Sequence, residues 1–337
     1  MADGPRYDAV TVIVTGAAGF VGYHVAEALL ARGETVVGVD NLNAYYSVAL
    51  KQARLGRLQA HPGFTFYKAD IADRVALFEV FGRAQSATAV VHLAAQAGVR
   101  HSMVDPYAYV TTNVMGHVTV LEAARMLPQL KHLVYASSSS VYGGNTKMPF
   151  AESDPVDTPV SLYAATKRAD ELISHAYSHL YGIPQTGLRF FTVYGPWGRP
   201  DMAYYSFAER IMAGEPITLY EGGRLRRDFT YIDDIVSGVL GCMDVVPAPG
   251  TMPAVYNIGN NRAELVTSLV SLLEQGLSRK AIVVNTPRPV ADVAETCADL
   301  TSIASHAGYA PSTPLSEGVP RFVEWFLAYR DALQNSA

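Results

Sequence analysis

A glycine-rich turn follows the first apolar run of the chain and constrains the fold more than any other feature. The apolar run at residues 10–14 leads directly into Gly16-Ala17-Ala18-Gly19-Phe20-Val21-Gly22, where a helical pattern begins. Glycines at this spacing permit a tight turn and let backbone approach a diphosphate at the positive end of the helix. Asp40 ends the next strand-like run, where a carboxylate can accept hydrogen bonds from an adenosine ribose. We therefore predict a dinucleotide site that prefers NAD to NADP.

Short apolar runs alternate with helical patterns through the first half of the chain. Strands are predicted at residues 10–14, 35–39, 64–67, 89–92, 132–136 and 186–190. Helices are predicted at residues 21–31, 75–81, 113–124 and 163–181. Strands that are apolar throughout, without polar alternation, are typical of burial on both faces. The pattern predicts an α/β fold of the Rossmann type, with a doubly wound parallel sheet.

The rhythm changes after about residue 191, where prolines and glycines separate shorter elements. We predict a dinucleotide-binding domain at residues 1–190 and a smaller α/β substrate lobe at residues 191–337, which ends in a helix at 315–333. Tyr256-Asn257-Ile258 is predicted to return to the main sheet as a late strand. Part of residues 227–260 therefore belongs with the first domain, and the boundary is interleaved.

Composition excludes several classes of partner. The net charge of −5 over 337 residues argues against nucleic acid, because a phosphate backbone favours a basic face. The chain has no run of 18 uninterrupted apolar residues, and its first residues lack the pattern of a secretory signal, so we expect no membrane partner. Cys242 and Cys297 lie far apart, which suits a reducing cytoplasm.

A tyrosine and a lysine are spaced for one helix face near a run of serines. Tyr163 and Lys167 are four residues apart, and Ser137-Ser138-Ser139-Ser140 follows the predicted strand 132–136. Each pattern alone is weak, but hydroxyls at the carboxyl end of a buried strand lie where a nicotinamide would bind. Oxidising an alcohol needs a base, and a phenol with a pKa near 10 needs about 4 kcal/mol of help to serve at neutral pH. One cation about 4 Å away can supply roughly that amount.

The Gly-x-x-Gly-x-x-Gly spacing resembles the extended branch of the short-chain dehydrogenase/reductase family. Asp70-Ile71 and His92-Leu93-Ala94-Ala95 match that branch as well. The resemblance implies Tyr163 as the base, Lys167 as its neighbouring cation and Ser138 as a hydrogen-bond partner of the reacting oxygen. It implies NAD contacts at Gly16, Gly19, Phe20, Val21, Gly22, Asp40, Asn41, Asn43, Asp70, Ile71, Leu93, Ala94, Ala95, Gln96, Asn113, Ala136, Tyr163, Lys167 and Phe190.

Three segments resemble the UDP-glucuronate 4-epimerase family. They are Arg189-Phe190-Phe191-Thr192-Val193-Tyr194-Gly195-Pro196-Trp197-Gly198-Arg199-Pro200-Asp201-Met202-Ala203, residues 94–100 and residues 227–234. This resemblance implies a homodimeric isomerase that inverts C4 of UDP-glucuronic acid, giving UDP-galacturonic acid through a transient 4-keto sugar while NAD is recycled in place.

The same resemblance implies a substrate site in the second lobe. Arg199, with Ser139, Ser140 and Thr192, is expected around the C6 carboxylate, since arginine presents paired donors to carboxylates. Ser138 is expected at the reacting oxygen of the same sugar. Arg227, with Arg288, is expected at the diphosphate. The remaining expected substrate contacts are Arg100, Ala203 and Tyr220. Residues 289–296 depart from the family, because Pro289-Val290-Ala291-Asp292-Val293 stands where relatives have Pro-Gly-Asp-Val and the glycine is missing.

Residues that are absent separate this chain from related enzymes. Related dehydratases carry Asp-Glu where this chain has Ser139-Ser140, and UDP-glucuronate decarboxylases carry Glu at position 140. The alternatives that stay open are a UDP-glucose/UDP-galactose 4-epimerase, a decarboxylase that forms UDP-xylose, and a non-catalytic NAD-binding regulator. We predict no metal site, because His175 and His179 lack the Glu of an H-E-x-x-H pattern and a third ligand.

Overall fold

The computed structural model describes residues 10–248, 250–289 and 292–334. Its strands, in chain order, are β1 Thr11–Thr15, β2 Thr35–Asp40, β3 Phe64–Lys68, β4 Ala87–His92, β5 His132–Ser138, β6 Gln185–Phe190, β7 Thr192–Tyr194, β8 Pro216–Tyr220, β9 Arg226–Tyr231, β10 Ala254–Ile258, β11 Ala263–Leu265 and β12 Ile282–Thr286. Its α-helices are α1 Phe20–Ala31, α2 Val48–Gln59, α3 Arg74–Arg83, α4 Pro106–Tyr109, α5 Gly116–Ala124, α6 Leu162–Tyr181, α7 Ala203–Ala213, α8 Ile232–Asp244, α9 Val266–Leu277, α10 Thr301–Ala307 and α11 Leu315–Gln334.

Seven parallel strands form the central sheet, in the spatial order β10-β6-β5-β4-β1-β2-β3. Successive side chains of a strand point to opposite faces, and both faces of β1 are covered. Val12 and Val14 join a core that includes Tyr23 of α1, whereas Ile13 joins a second core that includes Leu121 of α5. This arrangement confirms the α/β, doubly wound parallel fold predicted from the apolar runs.

The six strands predicted for the first half are present, with ends that differ from the prediction by at most two residues. The helix predicted at 113–124 begins later, because residues Val110–Met115 form a π-helix between α4 and α5. Helix α2 was not predicted. Tyr256 lies in β10, which pairs with β6 at the edge of the central sheet.

A smaller lobe is built from the remaining strands and from α7, α9 and α11. Strands β11, β9 and β7 form one small sheet, and β12 pairs with β8 in another. Helices α7 and α11 both pack against α9. Between its contributions to this lobe, the chain returns through β10 to the central sheet. No helix among the described residues combines the length and apolar character that crossing a membrane requires.

Candidate active site

A cleft opens at the carboxyl ends of the parallel strands, where the strand order reverses between β1 and β4. Such a crevice is the usual ligand site of open α/β sheets. It comprises an inner cavity of about 370 Å³ and an outer cavity of about 790 Å³. Tyr45, Ser139, Thr192 and Arg199 line both cavities, so the two form one continuous space.

The glycine turn between β1 and α1 forms one wall of the inner cavity. Gly16 has a φ of +74°, and a Cβ on it would lie 2.8 Å from the backbone nitrogen of Ala94. A Cβ on Gly22 would overlap the carbonyl oxygen of Gly16. Helix α1 begins at Phe20, and no described side chain caps this end. Its first N–H groups are therefore free to bind a ligand. They lie at the positive end of the helix dipole, which suits a diphosphate.

Asp40 is buried at the end of β2, beside this turn. Its Oδ2 accepts a hydrogen bond from the backbone N–H of Ala18 at 3.1 Å, and its Oδ1 accepts one from Leu42 at 2.8 Å. Burial raises the pKa of Asp40, against the lowering effect of these bonds and of Lys51. A carboxylate here can receive the hydroxyls of a ribose. The turn and Asp40 together fit a dinucleotide such as NAD.

Most of the predicted cofactor-binding residues line the inner cavity. They are Gly16, Gly19, Phe20, Val21, Gly22, Asp40, Asn41, Asn43, Ile71, Leu93, Ala94, Ala95, Gln96, Ala136, Tyr163, Lys167 and Phe190. Two predicted residues, Asp70 and Asn113, lie behind this wall. Asp70 accepts a hydrogen bond from Asn41 at 2.8 Å, and Asn113 donates to the carbonyl of Gln96 at 3.1 Å. Both side chains thus hold residues that line the cavity.

Ser138, Tyr163 and Lys167 lie together on the inner cavity. Ser138 is the last residue of β5, and its hydroxyl donates to Ser140 Oγ at 3.1 Å. Tyr163 and Lys167 are one turn apart on α6, which places them on the same face. Lys167 is buried, and its Nζ donates to the carbonyl oxygen of Ala136 at 2.9 Å. The sequence-predicted trio therefore shares the wall formed by β5 and α6.

A buried ion pair fixes α6 against the sheet. Arg189 of β6 donates from Nε and Nη2 to Glu171 of α6 at 2.8 and 2.9 Å. Ser137, next to Ser138, donates to the same carboxylate at 2.6 Å. Burial alone would raise the pKa of Glu171, but Arg189 and these hydrogen bonds lower it. Because a buried bidentate pair is directional, the network sets where Tyr163 stands relative to Ser138.

Arg199 lies on the loop between β7 and α7, on the wall shared by both cavities. In this loop Trp197 has a φ of +59°, an uncommon conformation for a residue with a side chain. Arg199 donates from Nε and Nη2 to the two carboxylate oxygens of Asp201 at 3.0 and 2.6 Å. Tyr45 donates its hydroxyl to Asp201 Oδ2 at 3.2 Å. The arginine predicted for a substrate carboxylate is thus already paired within the chain.

Arg54 of α2 connects the glycine turn to this loop. It is fully buried and donates to the carbonyl oxygens of Ala18 at 2.8 Å, Trp197 at 2.6 Å and Gly198 at 2.9 Å. A further bond runs to the hydroxyl of Tyr46 at 2.7 Å. A buried cation needs such partners to offset the loss of water. Arg54 therefore couples the position of the loop to that of the turn.

Basic side chains predicted to contact the substrate converge at the outer cavity. Arg227 donates to Asp292 Oδ1 at 2.5 Å, and Arg100 lies 3.4 Å from Asp292 Oδ2. Arg100 also lies over the ring of Tyr220, 4.7 Å from its centroid. Arg227, Arg100 and Tyr220 line the outer cavity. Arg288 stands beside it and donates to the carbonyl oxygen of Asp292 at 3.0 Å.

The other predicted substrate residues are also at the cleft. Ser139, Ser140 and Thr192 line both cavities, and Ala203 lines the outer one. Val290 and Ala291, where the sequence departs from the epimerase pattern, lie outside the described residues. Within the described ranges, no group of three or more His, Cys, Asp or Glu side chains is placed to hold a metal ion.

Sequence reasoning missed Tyr45, Lys51, Arg54 and Asp201. Lys51 and Arg54 lie on the unpredicted α2, and the Nζ of Lys51 donates to the carbonyl oxygen of Asn43 at 2.7 Å. The spacing of Leu50, Leu55 and Leu58, with a serine before the first turn, could have indicated an amphipathic helix. Asp201 lies within residues 189–203, which resemble the epimerase family as a whole, and no pattern in that segment marked Asp201 individually.

The cleft is that of a dinucleotide-dependent enzyme acting on a polar, anionic substrate. Residues 12–259 match the NAD dependent epimerase/dehydratase family, and the chain belongs to that family. UDP-glucuronate 4-epimerase 2 of Arabidopsis thaliana is 48% identical over 334 residues, which cover 95% of this chain and 76% of that protein.

Solved structures of two relatives have the same fold. UDP-glucuronic acid 4-epimerase from Bacillus cereus, in complex with UDP-glucuronic acid and NAD, superposes with a TM-score of 0.88 at 32% identity, over 95% of this chain and all of that one. UDP-glucose 4-epimerase from Thermotoga maritima, with UDP-glucose, gives a TM-score of 0.85 at 30% identity, over 95% of this chain and 100% of that one. The family therefore includes enzymes for both a charged and a neutral hexose.

Proposed function

We propose that this protein is an NAD-dependent UDP-glucuronate 4-epimerase, which interconverts UDP-glucuronic acid and UDP-galacturonic acid. One observation carries the proposal. The inner cavity joins the glycine turn and Asp40 to Ser138 and Tyr163, and it continues directly to Arg199. The similarity to UDP-glucuronate 4-epimerases, over 95% of the chain, supports the same activity.

The chain's own residues suit the holding of NAD across the inner cavity. The free N–H groups of α1 would bind the diphosphate, and Asp40 would accept the adenosine ribose hydroxyls. Lys167 donates to Ala136 and Asp170, which leaves its third donor for the second ribose. NAD, when bound, would supply the acceptor and then the donor of the C4 hydride.

Tyr163 serves as the general base and acid in this proposal. It takes the proton of the C4 hydroxyl and gives a proton back once the ketone is reduced on its other face. The buried ammonium of Lys167 lies one helical turn away on α6 and supplies the neighbouring positive charge. Ser138 hydrogen-bonds the reacting oxygen as its charge changes. The bond between Arg189 and Glu171 keeps this wall rigid while the sugar turns.

The neutral hydroxyls near Arg199 explain why an epimerase is favoured over a decarboxylase. A 4-keto uronate is a β-keto acid, which loses CO₂ when its carboxylate aligns with the carbonyl. Ser139, Ser140 and Thr192 line this part of the cleft and place no acid or base there. We propose that they and Arg199 hold the carboxylate away from that alignment. Arg227, with Arg100 and Arg288 near it, would bind the diphosphate of UDP at the far end, while Tyr220 and Ala203 border the sugar nucleotide.

Each part of the chain has a main task in this proposal, although Arg100 and residues 138–140 of the first part also border the substrate. Residues 1–190 bind NAD and residues 191–337 bind the UDP-sugar, with β10 belonging to the first part. The pairing of β10 with β6 supports this interleaved division.

Product analysis tests the proposal. Purified protein is incubated with UDP-glucuronate, with NAD supplied, and the nucleotides are separated by chromatography. We expect UDP-galacturonate. UDP-xylose would indicate a decarboxylase, and conversion of UDP-glucose to UDP-galactose with no reaction of the uronate would indicate the neutral-sugar epimerase. If all UDP-sugars remain unchanged, the chain is a non-catalytic NAD-binding protein.

We further propose that the protein is a homodimer. Exposed apolar side chains lie on two neighbouring parts of the fold, namely Tyr107, Val110 and Met115 ahead of α5, and Leu172 and Leu180 on α6. Exposed apolar surface of this kind is typical of an interface. Light scattering should give twice the 36.4 kDa chain mass, and the pair Tyr107→Glu with Leu172→Glu should halve it. Val283→Glu, an exposed apolar position on β12, serves as the control.

We also propose that the enzyme works in the cytoplasm. Cys242 and Cys297 are both free thiols, which suits a reducing compartment. Cell fractionation with an antibody against the chain tests this, and recovery from an extracellular fraction would contradict it.

A further inference from the structure

Asp201 occupies the Nε–Nη2 edge of the Arg199 guanidinium, one of the edges that could bind a substrate carboxylate. Its two oxygens lie 3.0 Å from Nε and 2.6 Å from Nη2, a bidentate arrangement along one edge of the guanidinium. Both side chains are about three-quarters covered, with 22% and 26% of their surface exposed, and Arg199 borders both cavities. An external carboxylate must therefore either share the guanidinium with Asp201 or replace it.

We propose that Asp201 is an internal anion that competes with the sugar carboxylate for Arg199, so that the carboxylate is released whenever the sugar must turn. The inference rests on the proposed function and names a residue that sets specificity and turnover within it. Asp201 acts through Arg199 and has no contact with the reacting carbon in this account.

The need for release follows from the reaction. C4 loses its hydride from one face of the ring and regains it on the other, so the sugar has to change its orientation inside the cleft. A charge-assisted bidentate hydrogen bond in a partly desolvated site increases the affinity for a ligand by roughly ten- to a hundredfold. If Arg199 bound only the substrate, each turn of the sugar would have to break that bond with nothing in its place.

When the substrate carboxylate leaves Arg199, Asp201 takes its place, so the guanidinium is not left without an anion. It remains ionised, because Arg199 and a hydrogen bond from Tyr45 lower its pKa even though burial acts in the opposite sense. The cation is thus neutralised in both orientations of the sugar, once by the substrate and once by the protein. This exchange lowers the barrier to reorientation of the sugar in the cleft.

Asp201 is held near Arg199 by contacts from outside their shared loop as well as by the loop itself. The Tyr45 hydroxyl donates to Asp201 Oδ2 at 3.2 Å. That hydroxyl fits only because Gly98 has no side chain, since a Cβ at this position would overlap it. Gly98 also has a φ of +101°, a conformation that other residues rarely adopt. Tyr45 and Gly98 therefore support the carboxylate from outside the loop.

The test is Asp201→Asn in the NAD-loaded enzyme, with binding and turnover measured separately. Asparagine keeps the shape but cannot neutralise Arg199. By calorimetry, we expect UDP-glucuronate to bind about tenfold more tightly than to the wild type, while UDP-glucose binds as before. The kcat for UDP-glucuronate should fall, because the carboxylate is no longer released with a substitute. A purely structural role for Asp201 would instead weaken the binding of both ligands.

Tyr45→Phe is the second variant, since it removes only one hydrogen bond from Asp201. It should shift the same two quantities in the same direction by a smaller factor, and it decides the question if the asparagine variant does not fold. Asp331→Asn, on the exposed end of α11, is the matched control for loss of one carboxylate. Unchanged or weaker uronate binding in both Asp201→Asn and Tyr45→Phe would overturn the proposal. Failure of the wild type to make UDP-galacturonate would refute the proposed function instead.

Discussion

The Nζ of Lys167 lies 3.1 Å from Oδ2 of Asp170, one turn further along α6, and both side chains are buried. Asp170 faces Lys167 and, more distantly, Glu171, and its Oδ1 has no hydrogen-bond partner among the described residues. Burial raises the pKa of Asp170 to about 6, although Lys167 lowers it. A carboxylate in this position partly neutralises the positive charge that Lys167 presents to the cavity.

Removing this counter-charge should change the pH dependence of catalysis. Above about pH 6, where Asp170 is ionised, its carboxylate offsets the positive charge of Lys167. Asp170→Asn removes this offset, so we expect the acidic limb of the kcat profile to move to lower pH. The profile is measured from pH 5 to 9 on UDP-glucuronate. Asp331→Asn provides the control. An identical limb in wild type and variant would show that Asp170 only holds the lysine in place.

Replacing Tyr163 by phenylalanine should stop turnover and leave the binding of NAD intact. The ring remains in place, but the proton of the C4 hydroxyl has no acceptor, so kcat should fall by about a thousandfold or more. Product chromatography gives the rate, and titration of NAD by calorimetry gives the affinity. Rates close to wild type would remove Tyr163 from the mechanism.

Truncating Arg199 should separate charged from neutral sugars. In Arg199→Ala the substrate carboxylate loses its donors and meets the unpaired Asp201, so kcat/KM for UDP-glucuronate should fall by about a hundredfold. For UDP-glucose it should change little. The double variant Arg199→Ala with Asp201→Asn should recover part of the loss, since the repulsion is gone. Equal losses on both sugars would mean that Arg199 does not read the carboxylate.

Buried histidines should make the protein sensitive to mild acid. Burial lowers the pKa of His92 to about 3 and that of His117 well below its usual value. Between the folded pKa and 6.5 the unfolded chain binds more protons, so the free energy of unfolding falls as pH drops below 6.5. His92 contributes a loss of about 2 kcal/mol by pH 5, and His117 acts in the same direction.

Two carboxyls oppose this trend without reversing it. Burial raises the pKa of Asp170 and of Asp228 to about 6, so each favours the folded state as pH falls between about 6 and 4. We expect the melting temperature to decrease between pH 7 and pH 5, because the larger shifts belong to the histidines. His92→Asn should show a shallower decrease. A slope equal to that of the wild type would contradict this assignment.

The sequence predicted the sheet well because its strands are buried on both faces. Val12, Ile13 and Val14 are all fully buried, and a continuous apolar run is the local consequence of such an environment. The glycine turn was equally readable, since Gly16 and Gly22 are required by close backbone contacts that only glycine permits. Both features leave their signal in a run of consecutive residues, although the contact that requires Gly16 is with the distant backbone of Ala94.

The ion pairs of the charged residues could not be predicted from the sequence in the same way. Whether Arg199 meets Asp201 or a ligand depends on the loop that Trp197 and Arg54 shape, and Arg54 lies about 140 residues earlier in the chain. Asp292 reaches Arg227 and Arg100 from a third segment. Spacing identifies such residues as candidates, but only the fold shows which carboxylate meets which guanidinium.

Strand β10 has a bearing on how this architecture can acquire new substrates. Since Ala254–Ile258 forms the outer strand of the central sheet, a recombination event that exchanged everything after residue 190 would also replace that strand and its contacts with β6. A hybrid gene would thus inherit a mismatched sheet along with its new specificity. Single substitutions in the cleft, at positions such as 139, 140 and 201, would change the site without replacing that strand.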